Sequence, residues 1–339
     1  MKICYAAPLA AIGVIFVSSA FAGETLDKIR GREVLACGVS QGVAGFSQPD
    51  SKGYFTGLDV DVCRAISAAI LGAADKVKYT PLSAAARFTA LQSGEVDILS
   101  RNSAWTLTRE ASLGLLFGPV DYYDGQGFMV TKKSGIKSAK QLSGASVCVQ
   151  PGTTTELNLA DYARANNLQI KPVVIENRDE LEDAFFSGRC DALTTDASGL
   201  AGTRSAKASN PDDYVILPEV ISKEPMAPSV RKGDDQFYDV MRWTVEALIE
   251  AEERGITSAN ADEMLKSQDP AIKRLLGVTP GNGKALGLDE QWAYRAIKQV
   301  GNYGEIFERN VGSKSTLKLA RGLNDLWTVG GLMYAAPAR

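Results

Sequence analysis

The chain has 339 residues, 45% of them hydrophobic and 23% charged, so a globular protein of about two domains is expected. Its formal net charge of −3 argues against nucleic acid or an anionic membrane surface as a partner. It contains no histidine, which excludes His-based triads, His general bases and His metal ligands, and no CxxC spacing that would suggest a structural zinc site.

Residues 1–22, MKICYAAPLAAIGVIFVSSAFA, stand apart from the rest. Lys2 is their only charge, an apolar run follows, and Ala20-Phe21-Ala22 forms an A-x-A end before Gly23. This reads as a secretory signal peptide, too short and wrongly flanked for a membrane span. Cys4 precedes the apolar stretch instead of ending it, which does not suit a lipoprotein. No other segment reaches about 18 apolar residues, so the exported chain is expected to be soluble.

Downstream, VLACGVS (34–40) reads as a strand, QGVAGFSQPDSKGYFTG (41–57) as a loop and LDVDVCRAISAAIL (58–71) as a helix. VKYTPL (77–82) is a strand, SAAARFTALQSG (83–94) a helix closing on Gly94, and VDILS (96–100) a strand. This β-α-β-α-β order indicates a parallel sheet with crossover helices. GQGFMVTKK (125–133) and VILPEVISKEPMAPSVRKG (215–233) are candidate crossover strands between two such units.

The second unit repeats the pattern. SVCVQ (146–150) is a strand and TTTELNLADYARANN (153–167) a helix, with Thr153 and Glu156 at capping-box spacing. IKPVVI (170–175), NRDELEDAFFSGR (177–189) and CDALTTD (190–196) follow as strand, helix and strand. ALQSGEVDILS (90–100) and AFFSGRCDALT (184–194) fit one pattern, A-[LF]-x-S-G-x-x-D-x-L-[ST]. Each copy is read as a helix end, a Ser-Gly cap and the entry to a buried strand, with Gly94 and Gly188 in the left-handed conformation. A long amphipathic helix over 236–255 and shorter helical patterns over 258–339 complete the chain.

Four cysteines remain beyond the signal peptide: Cys37, Cys63, Cys148 and Cys190. An even number in an exported chain suggests two disulfides, with three possible connectivities. Cys37–Cys63 with Cys148–Cys190 is favoured because each pair falls within one half of the chain.

In open α/β sheets, ligands bind beyond the carboxyl ends of the strands. The loops there are 41–57, 101–109 and 150–154, together with Asp196 at a strand end. In SRNSAWTLTRE (100–110), Arg109 could grip a carboxylate through two parallel hydrogen bonds, or simply pair with Glu110. Thr153 and Thr154 sit at a helix N-terminus, suited to an anion or to capping. Asp196 could accept an ammonium or cap the next helix. Phe46, Tyr54 and Trp105 lie in the same loops. One Arg, one Asp and aromatic walls outline a receptor for a zwitterion.

At this point the sequence resembles the periplasmic solute-binding proteins of ABC-type polar amino-acid importers. The resemblance rests on GLDVDVCRAI (57–66), T-x-x-R at 106–109, GTT at 152–154 and Asp196, and covers about residues 34–250. The general L-amino-acid receptors are the most similar subgroup, through CVQPGTTTELN (148–158), SRN…WTL…R (100–109), the four cysteines and the C-terminal extension. The resemblance implies an α/β, two-lobed, type II periplasmic-binding fold: two parallel-type sheets with crossover helices and a cleft between the lobes. Residues 23–126 plus 228–339 would form lobe 1 and 127–227 lobe 2.

It further implies that Arg109 holds the ligand α-carboxylate, with Thr106 and backbone N–H groups near Ala104 and Thr154. Asp196 would hold the α-ammonium with the region of Asn102, and Phe46 and Tyr54 would cover the side chain. Family members often carry Ser or Thr where this chain has Ala104, a loss of one hydrogen bond worth about 0.5–1.5 kcal/mol. Arg101 could reach an acidic side chain or face solvent. The implied protein is a monomeric periplasmic receptor of broad specificity. It has no cofactor, closes about a hinge on a free L-amino acid and docks on permease subunits. A rival is a secreted cyclohexadienyl or arogenate dehydratase on the same fold, with Asp121, Asp124 or Asp50 as candidate acids. A receptor feeding a membrane sensor is a third reading.

Overall fold

The structure is a computed structural model describing residues 23–339, so the expected signal peptide lies outside the described residues. After helix α1 (Glu24–Arg32), strand β1 (Leu35–Ser40) is buried along its whole length. A small hairpin of β2 (Gln48–Pro49) and β3 (Phe55–Thr56) leads into α2 (Leu58–Leu71). Gly57 makes that entry possible: its φ is 138°, and a Cβ there would lie 2.0 Å from the Phe46 carbonyl oxygen.

The first sheet adds β4 (Val77–Leu82), β5 (Ile98–Leu99) and β6 (Leu115–Phe117), with α3 (Arg87–Ser93) and the short α4 (Leu107–Ala111) between them. Strands β4, β1 and β5 run parallel, as crossover helices require. The chain then leaves through β7 (Tyr122–Asp124) and enters the second sheet at β8 (Gln126–Thr131).

The second sheet is built from β9 (Ser146–Val149), α5 (Thr154–Ala165), β10 (Lys171–Val174), α6 (Arg178–Phe186), β11 (Ala192–Asp196), α7 (Ala197–Lys207) and β12 (Tyr214–Ile216). The chain returns through β13 (Glu224–Met226) to β14 (Ser229–Arg231) in the first sheet. The orders are β4-β1-β5-β14-β6 and β10-β9-β11-β8-β12. Each sheet therefore has four strands running one way and a single strand, fourth in the order, running against both its neighbours, and that strand is the one that crosses between sheets. The crossing itself is a two-stranded antiparallel ribbon, β7 with β13, which pairs Asp124 with Glu224 and Tyr122 with Met226. It lies just before the crossover expected at 125–133, whose strand β8 belongs to the second sheet.

The repeated Ser-Gly joint has the same geometry in both sheets. Gly94 and Gly188 have φ of 80° and 81°, and the residues after them donate to Ala90 and Ala184 carbonyls at 3.1 and 2.9 Å. Ser93 and Ser187 hydroxyls donate to the same two carbonyls. The aspartate three residues on also has one role in both copies. Asp97 accepts from the Ala36 N–H (2.8 Å) and Asp191 from the Ser146 N–H (2.7 Å), fixing the start of the neighbouring parallel strand.

Helix α2 is apolar almost all round because it is covered on both sides. Beyond α8 (Asp235–Glu253), helices α9 (Ala261–Met264), α10 (Pro270–Leu275), α11 (Asn282–Leu286), α12 (Trp292–Val300) and α13 (Tyr303–Asn310) pack on the first lobe. Trp292, Ile297, Ile306 and Phe307 share one core with β1, α2 and α8. Tyr303 donates to the Asp121 carbonyl (2.9 Å), and the Asn324 side chain bonds both the N–H and the carbonyl of Tyr123 in β7. Cys37 joins Cys63, tying β1 to α2, and Cys148 joins Cys190, tying β9 to the entry of β11.

Candidate functional site

A small cavity with about 30 Å³ of free space lies between the carboxyl ends of the two sets of parallel strands, where open α/β sheets bind ligands. The lobes meet around it. Ser83 donates to Glu176 (2.9 Å), and a Cβ on Gly202 of α7 would stand 3.1 Å from the Ala44 carbonyl.

From the first lobe, Asn102 and Ala104 line the cavity on the loop after β5. The loop turns through Asn102, which has a φ of 30°, and its N–H donates to both oxygens of buried Asp59 (3.2 and 3.1 Å). Burial pushes Asp59 up to about 6, against the Asn102 hydrogen bond and the charge of Arg101. The second aspartate of the LDVD motif, Asp61, binds Arg64, Arg309 and Asn310, tying α2 to α13. The motif thus anchors the site without entering it. Further along, Trp105 N–H donates to the Pro225 carbonyl and Ala227 N–H to Ser103, so the loop is stitched to the ribbon.

Thr106 caps α4 by accepting from the Arg109 N–H (3.3 Å). The helix turns the Arg109 side chain back over the loop, where it donates to the Ala104 carbonyl (2.7 Å) and stands 5.0 Å from the centre of the Phe88 ring. Arg109 does not pair with Glu110, which accepts from the Trp105 indole instead.

From the second lobe come Thr153, Thr154 and Asp196. Thr153 caps α5 by accepting from the Glu156 N–H, while Glu156 reaches the Gly152 N–H, one residue before the capping-box position. Thr154 donates to Glu224 of the ribbon (2.8 Å), which also binds Asn158 and Ser222. Asp196 ends β11 at the N-cap position of α7 but makes no capping bond. That task falls to Asp124, which accepts from the Ser198 N–H and hydroxyl. The Asp196 carboxyl is held well above the usual carboxylate range by burial and by Asp124 and Glu224, against Arg178 and Arg109.

Four expected site residues do not line the cavity. Phe46 is buried in the first-lobe core, edge-on to Tyr122 at 5.0 Å. Tyr54 is 69% exposed on the hairpin. Trp105 is partly exposed and stacks on Phe117, and Thr106 is spent on its cap. No aromatic side chain lines the cavity among the described residues; its walls are polar. In their place the cavity gathers Arg87, Arg101, Arg178, Gln150 and Glu224. Of these, only Arg101 stood out in sequence. Arg87 and Arg178 look like ordinary surface charges at helix starts, and Glu224 has no motif around it. The dehydratase acids are elsewhere: Asp50 closes a turn and Asp121 is buried near Asp59.

Two α/β lobes, a two-stranded connecting ribbon and a charged cleft at the strand ends define a type II periplasmic-binding fold. The chain belongs to the bacterial extracellular solute-binding proteins, family 3, whose pattern matches residues 35–259. It is 56% identical to the general L-amino acid-binding periplasmic protein AapJ of Rhizobium johnstonii, over 97% of this chain and 98% of that protein. It is 54% identical to the glutamate/glutamine/aspartate/asparagine-binding protein BztA of Rhodobacter capsulatus, over 95% of this chain and 96% of that one. A solved ABC transporter/periplasmic binding protein from Brucella ovis with glutathione bound matches 93% of this chain and 99% of its own, at 59% identity and a TM-score of 0.91. No helix among the described residues is long and apolar enough to cross a membrane.

Proposed function

We propose that this chain is the periplasmic binding component of an ABC importer for L-amino acids of broad range, a receptor and not an enzyme. Arg109 receives the ligand α-carboxylate, Asp196 the α-ammonium, and Thr153, Thr154, Asn102 and the Ala104 backbone complete the contacts. Lobe 1 comprises residues 23–126 and 228–339, and lobe 2 comprises 127–227. The two rock about the β7–β13 ribbon, and the closed monomer docks on permease subunits.

One observation carries this reading. Arg109 and Asp196 come from opposite lobes, line one cavity and, among the described residues, have no ion pair within 4.0 Å. Buried charges are normally paired. A zwitterion supplies both missing partners and binds the closed form better than the open one, which drives closure. The names of the relatives point the same way. The enzyme reading loses support because Asp50, Asp121 and Asp124 lie off the cavity.

The test is calorimetric titration of the ligand-stripped mature protein with the common L-amino acids. Binding of several is expected. Arg109→Ala and Asp196→Asn should each weaken all of them by about 100-fold or more, since each leaves a buried charge unpaired. If no amino acid binds the wild type, the proposal fails.

A further inference from the structure

The charges around the cavity exceed what a zwitterion answers. Arg87 is 3% exposed and Arg101 is 7% exposed, and among the described residues neither has a carboxylate within 4.0 Å. The Arg87 Nε is buried without a hydrogen-bond partner, and its Nη2 reaches only the Gly152 carbonyl, at 3.5 Å across the cleft. Arg101 is fixed by its Nε donating to the Leu82 carbonyl (3.0 Å). Its terminal nitrogens have no partner among the described residues. Phe88 holds the Arg87 guanidinium 4.6 Å from its ring centre and that of Arg109 at 5.0 Å, so one ring positions both. Arg178 of the second lobe also lines the cavity, pinned by Glu182 (2.8 Å) and Thr203 (3.1 Å).

We propose that Arg87 and Arg101, with Arg178 facing them from the other lobe, form a second anion subsite for a carboxylate on the ligand's side chain. The inference rests on the zwitterion reading above. That reading assigns Arg109 to the α-carboxylate and Asp196 to the ammonium; Asp59 and Asp196 act on Arg101, and Asp196 on Arg87, only from beyond ion-pair distance, so neither arginine has a carboxylate of its own. Glu224, the other acid of the cavity, bonds Thr154, Asn158 and Ser222 and lies toward Arg109. Buried arginines of like charge on opposite lobes resist approach; a carboxylate between them reverses the sign of that interaction. Burial and the neighbouring guanidiniums already pull Arg101 down to about 10 and Arg87 well below its usual range. The ligand class selected is an α-amino-acid head bearing a second carboxylate. It is met by a free acidic amino acid or by a γ-glutamyl peptide. A lysine or arginine ligand would add a cation where the cavity holds an excess.

The experiment is calorimetric titration of the ligand-stripped protein with L-glutamate, L-glutamine, L-alanine, L-lysine and glutathione. Glutamate or glutathione is expected to bind at least tenfold more tightly than glutamine, with lysine weakest. Arg87→Gln and Arg101→Gln should each reduce that preference to below threefold, read as the ratio of glutamate to glutamine affinity within the same variant. Arg101→Lys, which keeps the charge, should retain most of it. Alanine binding and an unchanged melting temperature certify the fold of each variant. Tighter glutathione than glutamate assigns the subsite to the terminal carboxylate of a γ-glutamyl peptide, and the reverse order to a free acidic amino acid. The inference is overturned if neither outbinds glutamine, or if the preference survives both neutral substitutions. In those cases alanine still binds and the zwitterion reading stands. If alanine and glutamine also fail to bind the wild type, both fall.

Discussion

Asp59 shows how one side chain can position a cavity loop at a cost. It is fully buried, and its two oxygens hold the Asn102 N–H in a left-handed turn that places Ala104 and Arg109 at the cavity. Its folded-state value of about 6 lies above the ordinary 3.8, so the native state binds the proton more tightly than the unfolded chain. Its contribution to stability is full below about pH 4 and is lost as pH rises through about 6. A shift of roughly 2 units corresponds to about 3 kcal/mol. Asp59→Asn keeps an acceptor for Asn102 but cannot titrate. Urea unfolding between pH 4 and 7 should show wild-type stability falling relative to the variant by that order. Parallel curves for the two proteins would mean that Asp59 is not shifted.

At the scale of elements, the Ser-Gly joint is the clearest unit, and its aspartate is the part with most energetic consequence. Asp97 is buried and holds the Ala36 N–H, so Asp97→Ala should cost about 2 kcal/mol in equilibrium unfolding. Asp191 makes the same bond to Ser146 at an exposed site, and Asp191→Ala should cost about half as much. Equal losses would contradict the burial argument. The joint also marks how far the sequence could be read. Helix α2 and strand β4 fall where their patterns place them, and Gly94 and Gly188 signal their caps, because period and positive φ are local properties of the chain. The aspartate's partner is 61 residues away in one copy and 45 in the other, and no local pattern carries that. The site divides in the same way. Arg109, Asp196, Thr153, Thr154, Asn102 and Ala104 follow strand ends, which the β-α order locates. An aromatic residue in a loop gives no sign of which way it faces, and Phe46 turned into the core while Tyr54 turned to water. Arg87 and Arg178 needed the cavity to be seen at all.

Across the whole molecule, the C-terminal helices complete the first lobe. They supply Trp292, Ile297, Ile306 and Phe307 to its core and fasten the β7 half of the ribbon through Asn324 and Tyr303. The β13 half instead carries Glu224, which is held from the second lobe by Thr154 and Asn158. Each strand is also held from the other lobe, β7 through Asp124 and Ser198 and β13 through the Pro225 carbonyl and the Trp105 N–H. The two cystines have a mechanical consequence. Each closes a stretch within one sheet's own unit, spanning 26 and 42 residues, and neither crosses the ribbon. They stiffen two lever arms and leave the joint unlocked. Reduction should therefore lower the resistance of each arm to unfolding by about 3–4 kcal/mol. The arc through which the arms swing should stay the same. Small-angle scattering of reduced, still-folded protein should show the same ligand-driven contraction as the oxidised form; a lost contraction would mean that the staples, and not the ribbon alone, set the stroke.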